Sequence, residues 1–143
     1  MKRFEFPLSH VLDFRRRQLG QEEARLEALQ AERRALETES GRLERETRET
    51  RSELMVTGSA DAESLLACDL YLRRLAKERK QQAGRMAEWQ GRAAAQQRAV
   101  VEARRQVRLL EKLEERRRRE WRAGVNREQE ELSAELYLAR WGK

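Results

Sequence analysis

The chain has 143 residues, of which 41% are charged and only 6% aromatic, and its formal net charge is +6. So little apolar area cannot build a compact globular core of this length, which leaves two classes, disordered chains and long helices or coiled coils. A single proline, seven glycines and an abundance of Arg, Glu, Ala, Leu and Gln favour helix.

The chain opens with a stretch unlike the rest. MKRFEFPLSHVLDF holds all three phenylalanines, the only proline and the only histidine. Pro7 is predicted to lie in the first turn of a helix, where its missing N–H costs no hydrogen bond. The basic start precedes no long apolar run, so it does not read as a secretory signal, and no stretch approaches 18 apolar residues. We therefore expect a cytoplasmic protein.

A first helix, from about residue 7 to residue 55, is predicted by a heptad pattern that never slips. Alternating steps of four and three from Leu8 to Leu54 visit fourteen positions, of which eight are leucine. A disordered charged chain has no reason to keep this phase, so the pattern indicates a coiled-coil seam.

A turn is predicted at residues 56–60, where Gly58 stands among poor helix formers. Ser59 or Asp61 could then cap a second helix over about residues 61–141. The three–four alternation resumes at Leu65 and continues to Trp121. Two helices joined by so short a turn fold back on each other, which predicts one all-α domain over residues 1–143, a long antiparallel two-helix coiled coil.

The two seams also predict a register. The shortest turn sets Leu26 opposite Trp89 and Arg33 opposite Gln82, the second pair forming a polar layer. The same register ends the paired region at Leu8 and Val107 and leaves the rest of the second helix as an overhang. Several large apolar residues are then expected to have no partner within the chain: Leu110, Leu113, Trp121, Val125, Leu132, Leu136 and Trp141.

Nothing in the sequence supports catalysis or a cofactor. His10 and Cys68 are the only residues of their kinds and stand far apart, so neither a metal site nor a disulfide is expected. Residues 56–108 carry eleven basic and six acidic groups, an excess that suits nucleic acid, anionic lipid or an acidic protein. Glutamates are interleaved with the basic residues and no nucleic-acid motif is present, so nucleic acid is not expected as the partner.

Several stretches together resemble the FliJ family of the flagellar type III export apparatus. They are FEFPLSHVLDFRRRQ at the start, YLRRLAKERKQQ after the turn and VRLLEKLEERRRREW near the end, and the resemblance covers essentially the whole chain. It implies a non-enzymatic, soluble coiled-coil hairpin similar to the γ subunit of rotary ATP synthases. Such a stalk would bind a hexameric export ATPase, the export gate in the membrane and export chaperones, at the cytoplasmic face of the inner membrane.

The resemblance also implies two sets of site residues. An ATPase-binding stalk tip would comprise Phe4, Phe6, Leu110, Leu113, Arg116, Arg117 and Trp121. A gate-binding flank would comprise Tyr71, Leu75, Glu78 and Gln82, where Glu78 replaces the small apolar residue expected in the family. Three alternatives stay open from the sequence: a homo-oligomeric structural coiled coil, an injectisome stalk protein and a basic nucleic-acid-binding helix.

Overall fold

A computed structural model describes residues 2–56 and 61–142 and contains two α-helices there, α1 (Ser9–Val56) and α2 (Ala62–Trp141), with no strand in these ranges. The contacts divide the chain into two compact units. Unit 1 comprises Met1–Gln21 and Val100–Lys143, and unit 2 comprises Glu22–Ala99. Each unit packs a stretch of α1 antiparallel against a stretch of α2, so the predicted all-α helical hairpin is confirmed.

The first helix begins two residues later than predicted. Pro7 and Leu8 form a turn in which the Ser9 N–H donates to the Phe6 carbonyl at 3.1 Å. The ring of Pro7 sets the backbone angle that the second position of such a turn requires. The first helical bond follows, from the Leu12 N–H to the Leu8 carbonyl at 2.9 Å. Proline therefore acts just before the helix instead of within its first turn.

The start of α2 is fixed by an N-cap. The Asp61 Oδ1 accepts the Ser64 N–H at 3.1 Å, which satisfies one of the N–H groups that the first turn leaves without an intrahelical acceptor. Of the two caps suggested by the sequence, Asp61 is confirmed, whereas Ser59 and the predicted turn from residue 57 onward lie outside the described residues. Hydrogen bonds from Ser64 lower the pKa of the Asp61 carboxyl below its ordinary value.

The core of unit 2 is the predicted seam. Among the described residues of unit 2, five side chains are buried, and all five occupy seam positions of the heptad pattern: Leu43, Thr47, Leu75, Gln82 and Trp89. Both polar members have acceptors, since the Thr47 hydroxyl donates to the Leu43 carbonyl within α1 at 2.8 Å and the Gln82 amide donates across the seam to a carbonyl of α1. The periodicity of the sequence therefore identified the buried face correctly.

The side-chain bonds across unit 2 reach carbonyls three positions further along α1 than the residues predicted to face them. The Trp89 indole N–H donates to the Leu29 carbonyl at 2.7 Å, and the Arg33 guanidinium lies 5.3 Å from the centre of its ring. Helical side chains lean toward the N-terminus of their own helix, so this bond is compatible with a register that sets Leu26 opposite Trp89. Gln82, expected opposite Arg33, likewise donates to a carbonyl three positions further on, that of Leu36, at 3.0 Å. Unbroken heptads leave the axial offset open, and polar side chains that need acceptors favour the observed one.

The core of unit 1 combines the seam with the N-terminal segment. Phe6, Leu12 and Val107 are buried together, and Phe4, Leu19, Leu110 and Leu113 pack around them half-buried. Val100 is fully buried beside the boundary of the unit. Phe4 and Phe6, from the non-helical start of the chain, therefore add to the core that leucine and valine side chains of α1 and α2 form.

Candidate partner-binding site

The N-terminal segment, residues 2–8, covers the part of α2 that the sequence register left without a partner. Phe6 is only 8% exposed and packs with Leu12 and Val107, while Leu110 and Leu113 of α2 lie half-buried against the same cluster. The expectation that Leu110 and Leu113 have no internal partner is therefore wrong. The chain before α1 reaches further along α2 than a helical register predicts, because this segment is not helical and therefore advances further per residue.

Trp121 is held by the same segment. Its ring lies 5.9 Å from the ring of Phe4 at an interplanar angle of 56°, and its indole N–H donates to the Lys2 carbonyl at 3.1 Å. The Arg118 guanidinium stands 5.0 Å from the centre of the Phe4 ring, which is the arrangement of a cation–π contact. Trp121 nevertheless stays 37% exposed, so it is both anchored within unit 1 and accessible to a partner.

Basic side chains surround this aromatic cluster on the solvent side. Arg116 and Arg117 are exposed, and the Arg116 Nε lies 3.3 Å from a carboxylate oxygen of Glu120. Arg118 pairs with Glu114 at 3.4 Å while it also faces Phe4. Arg118 was absent from the predicted set. The clustering of four consecutive arginines in the sequence did not distinguish it, because its role depends on the position of Phe4.

Beyond Val125 every described residue of α2 is exposed, so the overhang begins later than the sequence predicted. Its large apolar side chains are all between 54% and 73% exposed: Leu132, Leu136, Tyr137, Leu138 and Trp141. The Tyr137 and Trp141 rings lie 5.9 Å apart. Such a concentration of exposed apolar side chains on one helical segment is typical of a surface that binds another protein. We call residues 126–142 the C-terminal tail.

Of the four predicted gate-binding residues, two are accessible on the surface of unit 2 and two are buried against α1. Tyr71 is 39% exposed, and its hydroxyl donates to the Glu46 Oε2 at 2.8 Å. That bond raises the pKa of Tyr71 and, together with hydrogen bonds from Arg42, lowers the pKa of Glu46. Glu78 is half-buried, with an oxygen 3.3 Å from the Arg74 Nε. These two side chains therefore share one accessible, charged surface of unit 2.

Leu75 and Gln82, the other two members of that set, face the opposite helix. Leu75 is 2% exposed, and Gln82 is 4% exposed with its amide bonded to the Leu36 carbonyl. Neither side chain is available to a partner in this structure. The resemblance to the family grouped these four residues, whereas the heptad phase sends two of them inward.

No metal or redox chemistry is suggested by the residues that the structure describes. They contain no group of three or more His, Cys, Asp or Glu side chains arranged to hold a metal ion. Cys68 is half-buried at a seam position. Across the same two ranges, neither helix offers a stretch long and apolar enough to cross a membrane.

Comparison with known proteins identifies the chain at the level of its family. No curated protein and no solved structure is significantly similar to it. Residues 4–141, nearly the whole chain, match the family described as "Flagellar FliJ protein". The match spans most of the N-terminal segment, both helices and almost all of the C-terminal tail. The chain therefore belongs to the FliJ family of flagellar proteins.

Proposed function

We propose that this flagellar export protein is a stalk that binds the hexameric export ATPase through the exposed end of unit 1. Family membership makes the chain a component of flagellar protein export. The proposal that this chain binds the ATPase rests on the C-terminal tail, where five large apolar side chains are at least half exposed on a single helix. Exposed apolar side chains are unfavourable in water, and docking of this helix into another protein would bury them.

The aromatic cluster beside the tail supports the same proposal. Trp and Arg are the residues that most often dominate the free energy of a protein interface. Trp121 is held in one orientation by Phe4 and Lys2 while part of its ring stays accessible. A side chain fixed before binding loses less conformational entropy when the partner docks. Together with exposed Arg116 and Arg117, it offers anchors that are already oriented.

The export gate and the export chaperones are the other two partners that we propose for this chain. We propose that Tyr71 and Glu78 contribute to binding of the export gate, because they are the accessible members of the predicted flank. Export chaperones are expected to use the exposed surfaces of the same chain, at the cytoplasmic face of the inner membrane. Loss of gate binding on Glu78→Ala, measured with the cytoplasmic part of the gate protein, is the expected result. Unchanged binding would exclude Glu78 from that contact.

The ATPase contact can be tested with a pair of matched variants. Leu132→Ala with Leu136→Ala removes two tail leucines that are 54% and 67% exposed and four residues apart. Leu66→Ala with Leu70→Ala removes two leucines of unit 2 with the same spacing and exposures of 60% and 57%. Co-precipitation with the purified hexameric ATPase is expected to fall at least tenfold for the tail variant only.

Circular dichroism provides the control, since all four side chains are exposed and both variants are expected to keep their helicity. Stimulation of ATP hydrolysis provides a second readout on the same samples. Normal binding by the tail variant, with loss of binding by the variant at Leu66 and Leu70, would move the ATPase contact to unit 2. Loss of binding by neither variant would remove the exposed leucines from the interface altogether.

A further inference from the structure

Three hydrogen bonds repeat at the period of the coiled coil across the seam of unit 2. In each, a side-chain N–H of α2 donates to a main-chain carbonyl of α1, and both the donors and the acceptors are spaced seven residues apart. The pairs are Gln82 with Leu36 at 3.0 Å, Trp89 with Leu29 at 2.7 Å and Gln96 with Glu22 at 2.9 Å. We call these three bonds the carbonyl ladder.

We propose that the carbonyl ladder, together with the carboxylate of Glu22 and the guanidinium of Arg33, fixes the axial register of α1 against α2 in unit 2. The inference does not depend on the proposed function. A seam that repeats every seven residues keeps its phase after a shift of one heptad, so the period of the apolar residues alone leaves the register open. Polar side chains within a seam are the recognised means by which coiled coils specify register, because their bonds are directional.

The carbonyl ladder disfavours axial shifts of α1 against α2 that are smaller than one heptad. Gln82 and Trp89 are 4% and 8% exposed, so their N–H groups cannot turn to water when the acceptor moves away. A small slide would leave two buried donors without acceptors, which folded proteins avoid. Helix carbonyls retain a lone pair after their own intrahelical bond, and each of the three acceptors uses it for the ladder.

Side chains distinguish the observed register from one shifted by a full heptad. A heptad shift supplies new carbonyls at equivalent positions, so the ladder alone would survive it. The Gln96 amide, however, also donates to the Glu22 carboxylate, and Arg33 lies over the Trp89 ring. After a shift, Glu22 would be replaced by Arg15 or Leu29, and Arg33 by Leu26 or Ser40. Both side-chain contacts would then be lost.

The sequence contains its own matched control, because the inner glutamines each have an outer neighbour. Gln82 follows Gln81, and Gln96 precedes Gln97, and both neighbours are exposed. The test compares Gln82→Leu with Gln96→Leu against Gln81→Leu with Gln97→Leu, in the full chain with Cys68→Ser. Spin labels are placed at the exposed residues Gln30 and Gln90, beside the ladder residues Leu29 and Trp89. Pulsed electron paramagnetic resonance then measures the distance between the two labels.

A single distance is expected for the parent chain and for the outer-glutamine variant. The inner-glutamine variant is expected to show a second distance with a population of about 10% or more. It corresponds to an axial shift of about 10 Å, the rise of one heptad. Glu22→Ala, which keeps the ladder but removes the distinguishing carboxylate, is expected to show the same second distance. One unchanged distance in both variants, with helicity retained, would overturn the proposal and assign the register to the apolar seam.

Discussion

Phe6 is the single side chain through which the N-terminal segment contributes most to unit 1. It is 8% exposed and packs with Leu12 and Val107, two residues that belong to different helices. Phe6→Ala removes this ring while leaving the turn before α1 intact, because the bond from the Ser9 N–H uses the main-chain carbonyl of residue 6. The substitution therefore isolates the packing of the ring.

The expected cost follows from the burial of the ring. Moving a phenylalanine side chain out of water contributes about 1.5–3 kcal/mol, and removal of one from a closed protein core costs roughly 3–5 kcal/mol. The cluster around Phe6 is open to solvent on one side, since Phe4, Leu110 and Leu113 are only half-buried. We therefore expect the free energy of unfolding of unit 1 to fall by about 2–3 kcal/mol.

Hydrogen exchange and denaturant unfolding measure this loss. Amides at the start of α1, including that of Leu12, are expected to exchange about 30-fold faster or more, as a cost of about 2 kcal/mol requires. The indole fluorescence of Trp121 is expected to shift toward that of a solvated ring, because its contacts come from the same N-terminal segment. The chain offers a matched control in Phe14, which is 55% exposed on α1.

Phe14→Ala is expected to change the free energy of unfolding by no more than about 0.5 kcal/mol, as is usual for surface positions. The reasoning would be refuted if Phe6→Ala and Phe14→Ala proved equally mild, or if Phe6→Ala left the environment of Trp121 unchanged. Either result would show that the N-terminal segment does not pack on α2 in solution.

Three further predictions concern helix propensity, capping and pH. Gly84→Ala and Gly91→Ala are each expected to stabilise α2 by about 1 kcal/mol in denaturant titrations, because no atom lies within 4 Å of the added methyl group; no gain would place strain at these sites. Asp61→Ala is expected to lower the melting temperature by a few degrees, whereas Asp61→Asn keeps the cap and most of the stability. The pKa of Glu46 lies below its ordinary value of 4.5. Its ionised carboxylate therefore stabilises the fold fully above pH 4.5, and this stabilisation is lost as the pH falls through the lowered pKa. Tyr71→Phe removes one cause of that shift, so the melting temperature of the variant is expected to fall less between pH 7 and about pH 3; an equal fall would show that the Tyr71–Glu46 bond does not form in solution.

Much of the fold was predictable because it depends on period alone. The heptad phase identified Leu43, Leu75 and Trp89 as seam residues, and all three are buried. The cap at Asp61 followed from local chemistry, since a short carboxylate before a helix can accept its first N–H groups. Such features need only the neighbours of a residue along the chain, which are visible in the sequence.

The candidate site was predictable only in part. The sequence pointed to aromatic residues at the start and to Trp121 near the end as one binding region, and the structure brings Phe4 and Trp121 together. The contribution of Arg118 and the acceptor of the Gln82 amide could not be predicted in the same way. Both depend on which residue of one segment stands beside which residue of another.

The sequence by itself determined that this chain is all helix, which face of each helix is buried and which family it belongs to. These properties follow from residue composition, from a repeat of seven and from the order of motifs along the chain. Only the tertiary structure decided the register of unit 2 and the path of the N-terminal segment over α2. A heptad repeat is the same after a shift of seven, and the non-helical start of the chain carries no heptad, so specific contacts such as Trp89 with Leu29 and Phe4 with Trp121 had to select one arrangement.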